Sequence, residues 1–402
     1  MGKLTPYLRA LGVLIALTIS AVLVFDLGCF FVLPENFSTQ IFLGYRVGLL
    51  PDGGLGRGYP HDYFEPHAER GFDIGPSKSR RDHALFDYPR NYSYAIWSNS
   101  LGCFDSEHTG LERYIYLAGD SSTWGYTRFE KKFGALLEDK LGVPVVKCGV
   151  THTGQQHQLS KMKDVIGKIG RPPAVIVVVW SPNDIINDAF YPHSTVIDGW
   201  QVDTVHISAT RDVVREAPEA LGELVRKRVS DWRSWLRKPK LFLLKHSVTY
   251  NILVRAFYPG EFGRWLASDV YDDPDRMSIY SLQRDSLASP FLPYSRDARA
   301  RNNQEALLAI QAYADSIHAT LLVALLSVRP DHNVEVRNFL REHSIKYVDA
   351  GTSGYNFSDK DLSWKIDPHA NERGNEVIAD VLYRFITSEA SHDKTAVDRT
   401  IN

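Results

Sequence analysis

The chain has 402 residues, 44% of them hydrophobic and 12% aromatic, so it can bury a sizeable core as one large domain with insertions or as two domains. Its formal net charge is only −2, and it contains neither a zinc-type Cys/His spacing nor a glycine-rich phosphate loop. These features exclude a disordered or fibrous protein and argue against nucleic-acid binding.

The N-terminal segment, residues 1–33, predicts a membrane anchor. Residues 11–33 are almost continuously apolar over about the length that crosses a bilayer, with Arg9 before them and Asp26 as an interruption. Positive charge ahead of the apolar run predicts a cytoplasmic N-terminus. A cleaved signal peptide and a lipoprotein are the alternatives, although no small-x-small cleavage site is evident and Asp26 occupies an aliphatic position of the lipoprotein pattern. All three place the rest of the chain outside the cytoplasm.

Residues 34–112 are rich in Gly, Pro, Asp and aromatic residues and have no sustained helical period, which predicts an N-terminal extension of loops and short strands. The three cysteines, Cys29, Cys103 and Cys148, are too few for a disulfide framework. A Cys103–Cys148 bridge is compatible with an extracytoplasmic domain, and small buried thiols are the alternative.

Strands and helices alternate from residue 113 to residue 388. Short apolar runs predict strands at residues 114–118, 145–148, 174–180, 320–326 and 345–348. Apolar residues at helical spacing predict helices between these strands and a last helix up to about residue 388. The alternation predicts an α/β fold with a doubly wound parallel sheet, in which active residues gather at the carboxyl ends of the strands. Residues 389–402 form a C-terminal tail.

Residues 187–301 interrupt this alternation and predict a mostly helical insertion. Its middle is basic, aromatic and amphipathic and includes Trp232 and Trp235. Three interpretations are open for this part: a solvated helix that packs its apolar stripe on the core, a surface against anionic lipid headgroups, or a lid over the active site.

Two short motifs predict a nucleophilic serine and its partners. A Gly-Asp-Ser turn that ends in Ser121 follows a predicted strand and precedes a predicted helix. A serine needs a base to accept its proton and a third group to orient that base. Asp367 and His369 supply both just before the last helix, and Pro368 between them predicts a stiff, non-helical turn.

A third motif follows the all-apolar strand at residues 174–180. Its amide residue, Asn183, lies at the same predicted edge of the sheet as Ser121, where a side-chain amide can donate to an oxyanion. The alternative role for Asn183 is a turn or helix cap. Chemistry-bearing residues at three predicted strand ends favour a catalytic site.

Together these motifs resemble the sequence blocks of SGNH (GDSL-type) serine hydrolases. The resemblance covers residues 114–388 without the insertion, with the blocks at residues 119–125, 183–184 and 367–371 and at Gly374. The segment at residues 99–102 is similar to one that precedes the first block in many bacterial members. The resemblance implies a flavodoxin-like three-layer α/β/α fold and no metal or organic cofactor.

The resemblance also implies an oxyanion hole formed by the Ser121 amide, a backbone amide of the second block and the Asn183 side chain. This chain departs from the pattern in the second block, where His152 stands at the expected glycine position and Gly154 lies slightly beyond it. Either amide is a candidate. The single residue between Asp367 and His369 is similar to the spacing in SGNH-like polysaccharide O-acetyltransferases, which work outside the cytoplasm.

These features predict a serine esterase. His369, oriented by Asp367, deprotonates Ser121, which attacks an ester carbonyl and forms an acyl-enzyme. Water as acceptor gives an esterase, whereas a sugar hydroxyl gives an O-acyltransferase, and an acetylated glycan of the cell envelope is the expected substrate. The alternatives are a lipid-directed esterase or thioesterase and a non-catalytic surface protein that binds glycans.

Overall fold

A computed structural model describes residues 5–32, 62–85, 92–207, 213–215, 217, 219–223, 239, 243, 247–257, 262, 296–326, 333–353, 361–364 and 369–392. The strands in this part of the chain are β1 (Phe64–His67), β2 (Gly71–Ile74), β3 (Arg81–Leu85), β4 (Tyr92–Ile96), β5 (Ile115–Gly119), β6 (Val145–Gly149), β7 (Val175–Trp180), β8 (Ser194–Ile197), β9 (Trp200–Asp203), β10 (Val205–Ile207), β11 (Val213–Arg215), β12 (Thr320–Leu325) and β13 (Lys346–Asp349). The α-helices there are α1 (Thr5–Val32), α2 (Ser121–Trp124), α3 (Phe133–Leu141), α4 (Gln155–Ile169), α5 (Asp184–Ala189), α6 (Val248–Phe257), α7 (Arg296–Ser316), α8 (Val334–Glu342) and α9 (Glu372–His392).

The central sheet has five parallel strands in the order β13-β12-β7-β5-β6. Numbered along the chain this is the order 2-1-3-4-5 of flavodoxin-like folds. The predicted doubly wound parallel sheet is therefore confirmed. The strand order reverses between β5 and β7, and ligands of such sheets bind in the crevice beyond the carboxyl ends of the strands at this switch point.

Helices cover both faces of the sheet and complete three layers. All six residues of β7 are buried, as expected for a strand covered on both faces. Side chains of β7 alternate between the two hydrophobic clusters. One cluster includes Val178 with Met162 of α4 and Leu307 of α7, whereas the other includes Val177 with Leu137 of α3.

The N-terminal extension packs against the helix that follows β5. Its strands form two antiparallel pairs, β1–β2 and β3–β4. A third, aromatic cluster joins them to α2: Phe72, Tyr94 and Phe104 pack with Trp124, whose indole N–H donates to the Tyr63 hydroxyl at 3.0 Å. The extension thus supports the turn at the end of β5.

The structure contains the Cys103–Cys148 disulfide. Cys103 lies in the extension and Cys148 in β6, so the bridge ties the extension to the central sheet. The sequence leaves open whether these two cysteines form a bridge or remain buried thiols, and in the structure they form the bridge. Such bonds persist in oxidising compartments.

The insertion begins with two antiparallel hairpins, β8–β9 and β10–β11, ahead of α6. The first hairpin turns at Asp198 and Gly199, which both have positive φ, 50° and 82°. This is the type I′ turn that an Asp-Gly pair favours. The Asp-Gly pair in the sequence is therefore a local signal for a β-hairpin within the insertion. Helix α7 begins within the predicted insertion, at Arg296. The segment with Trp232 and Trp235 lies outside the described residues.

Candidate active site

Ser121 stands at the carboxyl end of β5, where the chain turns into α2. Strand β5 ends at Gly119 and α2 begins at Ser121 itself. Asp120 caps the helix because its carboxylate accepts a hydrogen bond from the Ser122 amide at 2.9 Å. The short strand-to-helix turn thus brings the Ser121 side chain, with 9% of the residue exposed, to the switch point of the sheet.

His369 contacts the Ser121 hydroxyl directly, with 2.8 Å between its Nε2 atom and Ser121 Oγ. Its imidazole packs against the Tyr126 ring, with ring centroids 4.2 Å apart. Trp364 links the two, since its amide donates to the His369 carbonyl and its indole donates to the Tyr126 carbonyl. The contact has the geometry of a nucleophile and its general base, 248 residues apart in the sequence.

Polar residues just after His369 hold this segment in place. Asn371 donates through its side-chain amide to the carbonyls of Asp361 and Ser363, and its side-chain oxygen accepts from the Gly374 amide. A side chain at Gly374 would collide with the Leu362 carbonyl. Asn371 and Gly374, which belong to the same sequence motif as His369, therefore position the histidine.

Asn183 reaches the same site from the end of β7. Its side-chain amide donates to Asp120 Oδ2 at 2.8 Å, and Ser121 Oγ lies 3.3 Å from the same oxygen. Because an Asn amide has two N–H groups, the bond to Asp120 orients the side chain and leaves a second donor. The structure thus brings Asn183 close to Ser121, as the strand ends predict.

Asp120 and Tyr126 were not among the candidate residues from the sequence. A carboxylate directly before a nucleophile at a helix N-terminus was a signal for Asp120. Tyr126 gave no local signal, since its contact with His369 depends on the packing of distant segments.

The second block places His152 and Gly154 in a tight turn after β6. His152 is buried and has a positive φ of 61°. Glycine adopts this backbone conformation most readily, and glycine is the residue that the family pattern has at this position. Gly154 caps α4, and a side chain there would enter the Asp188 carboxylate. Within the described residues, the Ser121 and Gly154 amides donate no hydrogen bond to another protein group. His152 and Gly154 thus both remain candidates for the second backbone donor.

Two buried carboxyl groups lie on the Asn183 side of the site. Burial and then the nearby Asp120 carboxylate raise the pKa of Asp184 well above its usual range. Burial raises the pKa of Asp188 to about 7, although hydrogen bonds from the Gln155 and Gln156 amides act in the opposite direction and lower it. A protonated acid is less costly to bury than a carboxylate, which accounts for both directions.

Asp367, the predicted acid of the triad, lies outside the described residues, as does Pro368. In the part of the chain that the structure describes, no three His, Cys, Asp or Glu side chains are grouped so that they could hold a metal ion. The described groups that contact Ser121 Oγ are His369 Nε2 and the Asp120 carboxylate, and the Asn183 amide donates to the same carboxylate.

The chain matches no protein-family model and no curated protein. Among solved structures, it is similar to a protein from Desulfitobacterium hafniense assigned to the G-D-S-L lipolytic family, with a TM-score of 0.35 and 12% identity over 68% of this chain and 99% of the other. A lipase/acylhydrolase from Enterococcus faecalis gives a TM-score of 0.34 and 11% identity over 69% and 96%. A G-D-S-L lipolytic family member from Veillonella parvula gives 0.31 and 13% over 68% and 98%. Similarity at this level carries no conclusion about activity.

Proposed function

We propose that this chain is a serine esterase that acts on carboxylic esters through an acyl-enzyme on Ser121. The observation that carries the proposal is the 2.8 Å contact between His369 Nε2 and Ser121 Oγ at the switch point of the sheet. A histidine at hydrogen-bond distance from a serine hydroxyl can remove the proton that makes serine a poor nucleophile.

In this mechanism, His369 takes the Oγ proton through Nε2 while Ser121 Oγ bonds to the ester carbonyl carbon. The protonated imidazole then gives this proton to the leaving alkoxide, and the acyl group stays on Ser121. An acceptor hydroxyl then gives its proton to His369 and bonds to the acyl carbon. The bond between the acyl carbon and Ser121 Oγ breaks, and Oγ takes the proton back from His369, which restores the free enzyme. Asp367 has the role of orienting His369 and stabilising its charged form.

Three donors stabilise the oxyanion of each tetrahedral intermediate: the Ser121 amide, the amide of His152 or Gly154, and the second N–H of the Asn183 side chain. Buried backbone amides without a protein partner are costly unless a ligand or water accepts from them. An oxyanion between these donors would meet that requirement in the reacting complex.

The proposed location is outside the cytoplasm, on a single-pass anchor with a cytoplasmic N-terminus. Helix α1 has an apolar stretch, Arg9–Cys29, that is long enough to cross a membrane. Its Asp26 accepts hydrogen bonds from Ser247 and Thr249, contacts that a cleaved signal peptide would not keep. The disulfide supports an oxidising compartment. An acetylated cell-envelope glycan is the proposed substrate, with water or a sugar hydroxyl as acceptor.

The test uses the full-length protein in detergent with p-nitrophenyl acetate. We expect turnover that Ser121→Ala and His369→Ala each reduce by about 10³-fold or more. Ser122→Ala is the matched control, because the neighbouring hydroxyl lies 3.4 Å from the Ser181 hydroxyl, whereas the Ser121 hydroxyl contacts His369. A fluorophosphonate should label wild type and Ser122→Ala but not Ser121→Ala. Absence of both turnover and labelling in wild type would exclude the catalytic proposal and favour a glycan-binding protein.

A further inference from the structure

Asp26 of α1 binds the beginning of α6. Its carboxylate accepts hydrogen bonds from the Ser247 hydroxyl and from both the amide and the hydroxyl of Thr249, each of the latter at 2.9 Å. Ser247 also caps α6, because its hydroxyl accepts from the Tyr250 amide. A carboxylate at a helix N-terminus is further favoured by the helix dipole. Asp26, the polar interruption of the apolar segment, is thus satisfied by α6.

The burial of α1 shows a docking face. Val22, Asp26 and Cys29 are partly buried, whereas the residues between them are exposed. Spacings of four and three residues place these side chains on one side of the helix. Helix α6 contacts α1, and the partial burial of α1 is confined to one side of the last turns of the apolar segment.

The outer face of α6 is apolar. Ile252, Leu253 and Phe257 have 44%, 44% and 49% of their surface exposed, and Ala256 is exposed beside them. These positions follow helical spacing and form one stripe, which we name the α6 stripe. A contiguous apolar surface of this kind is costly in water and typical of a contact with lipid or another apolar partner.

The position and length of α6 restrict what the α6 stripe can contact. Asp26 lies near the C-terminal end of the membrane-spanning stretch Arg9–Cys29, so the first turn of α6 lies near one boundary of the bilayer. The helix has 10 residues and is about 15 Å long, half of the roughly 30 Å of a hydrocarbon core. It is too short to span the membrane, but long enough to lie within one leaflet or in the interface.

We infer that α6 is a second membrane-embedded element, docked on the anchor through Asp26, with the α6 stripe in contact with the acyl chains of the outer leaflet. This inference rests on the proposed anchor. Lipid is the occupant because α6 packs on the membrane-spanning stretch, and the stripe, like the exposed sides of that stretch, carries apolar side chains. The docked helix holds the catalytic domain against the membrane surface, whereas α1 alone would only tether it.

The test measures how deeply single residues enter the bilayer. The full-length protein with Cys29→Ser is reconstituted in phosphatidylcholine vesicles and spin-labelled at Ile252→Cys, Leu253→Cys or Phe257→Cys. Collision with oxygen, which enters lipid, is compared with collision with a water-soluble nickel chelate. Leu23→Cys on α1 is the lipid control, and Glu376→Cys on α9 is the aqueous control.

We expect the three α6 labels to show an oxygen-to-nickel ratio close to that of Leu23 and several-fold above that of Glu376. If Leu23 is lipid-exposed and the α6 labels match Glu376, the inference is overturned while the anchor stands, and the stripe would be left for a protein partner. If the label at Leu23 is as accessible to the nickel chelate as the label at Glu376, α1 is not in the bilayer. The proposed anchor and the membrane contact of α6 are then both excluded.

Asp26 variants test the docking separately. Asp26→Leu removes every acceptor for Ser247 and Thr249, whereas Asp26→Asn keeps one oxygen. We expect the labels at Ile252 and Phe257 to become more mobile and more accessible to the nickel chelate in Asp26→Leu, with a smaller change in Asp26→Asn. Unchanged spectra in Asp26→Leu would overturn docking through Asp26.

Discussion

Asn183 Nδ2 donates to Asp120 Oδ2 at 2.8 Å, and Asp120 thereby connects the proposed oxyanion donor to the turn that carries Ser121. Replacing Asp120 by Asn keeps a side-chain oxygen to cap α2 but turns an acceptor of the Asn183 amide into a donor. We expect Asp120→Asn to lower kcat about 10²-fold, since misplacing a catalytic group can cost that much.

The expected free energy of unfolding of Asp120→Asn stays within about 1 kcal/mol of wild type, because Asn is a good N-cap. Steady-state kinetics and thermal denaturation together check the positioning role. An unchanged kcat, or a kcat loss matched by unfolding, would contradict it.

Asn183→Ala removes the proposed side-chain donor to the developing oxyanion. We expect kcat to fall by roughly 10²- to 10³-fold with little change in KM, because the interaction strengthens in the transition state. The measurement is the kinetics of p-nitrophenyl acetate hydrolysis, with Ser181→Ala as control at the same strand end. A change in KM alone would assign Asn183 to substrate binding instead.

The Cys103–Cys148 bridge spans 45 residues of sequence and joins the extension to β6. Its removal by Cys103→Ser with Cys148→Ser is expected to lower the free energy of unfolding by about 2–4 kcal/mol, because the unfolded chain gains freedom. Denaturant titration of the purified protein measures this. The Cys29→Ser control should leave stability unchanged, and reducing agent should destabilise wild type but not the double variant.

The stability of the protein should depend on pH through Asp188. Its pKa is about 7 in the folded state against 3.8 as the ordinary value. Between these values the folded state keeps a proton that the unfolded state has released. The stabilising contribution of protonated Asp188 is therefore fully present below about pH 4. It falls by up to about 1.4 kcal/mol per pH unit as the pH rises toward 7.

Asp188→Asn is neutral at every pH and therefore removes this titration. The unfolding free energies of wild type and Asp188→Asn are measured from pH 4 to pH 7.5. As the pH rises, wild type should lose stability relative to the variant. A constant difference over this range would show that Asp188 ionises normally in the folded protein.

The sequence by itself determined the parallel sheet and the strand ends where chemistry belongs. The reason is local. A short run such as β7, rich in Val and apolar at every residue, is typical of a strand covered on both faces, and a Gly-Asp-Ser turn after β5 places Ser121 at its carboxyl end. The Asp-Gly pair at Asp198 is an equally local signal, for a hairpin at the beginning of the insertion.

Only the tertiary structure decided which distant groups meet. The contact of Tyr126 with His369, the Asp120 bond to Asn183 and the docking of α6 on Asp26 join segments far apart in the chain or depend on side-chain orientation. Periodicity and motif spacing report which face of an element is buried, but not which partner covers it. The order of the strands in the sheet and the packing of the helices on it determine which segments are neighbours, and therefore which side chains meet at the switch point.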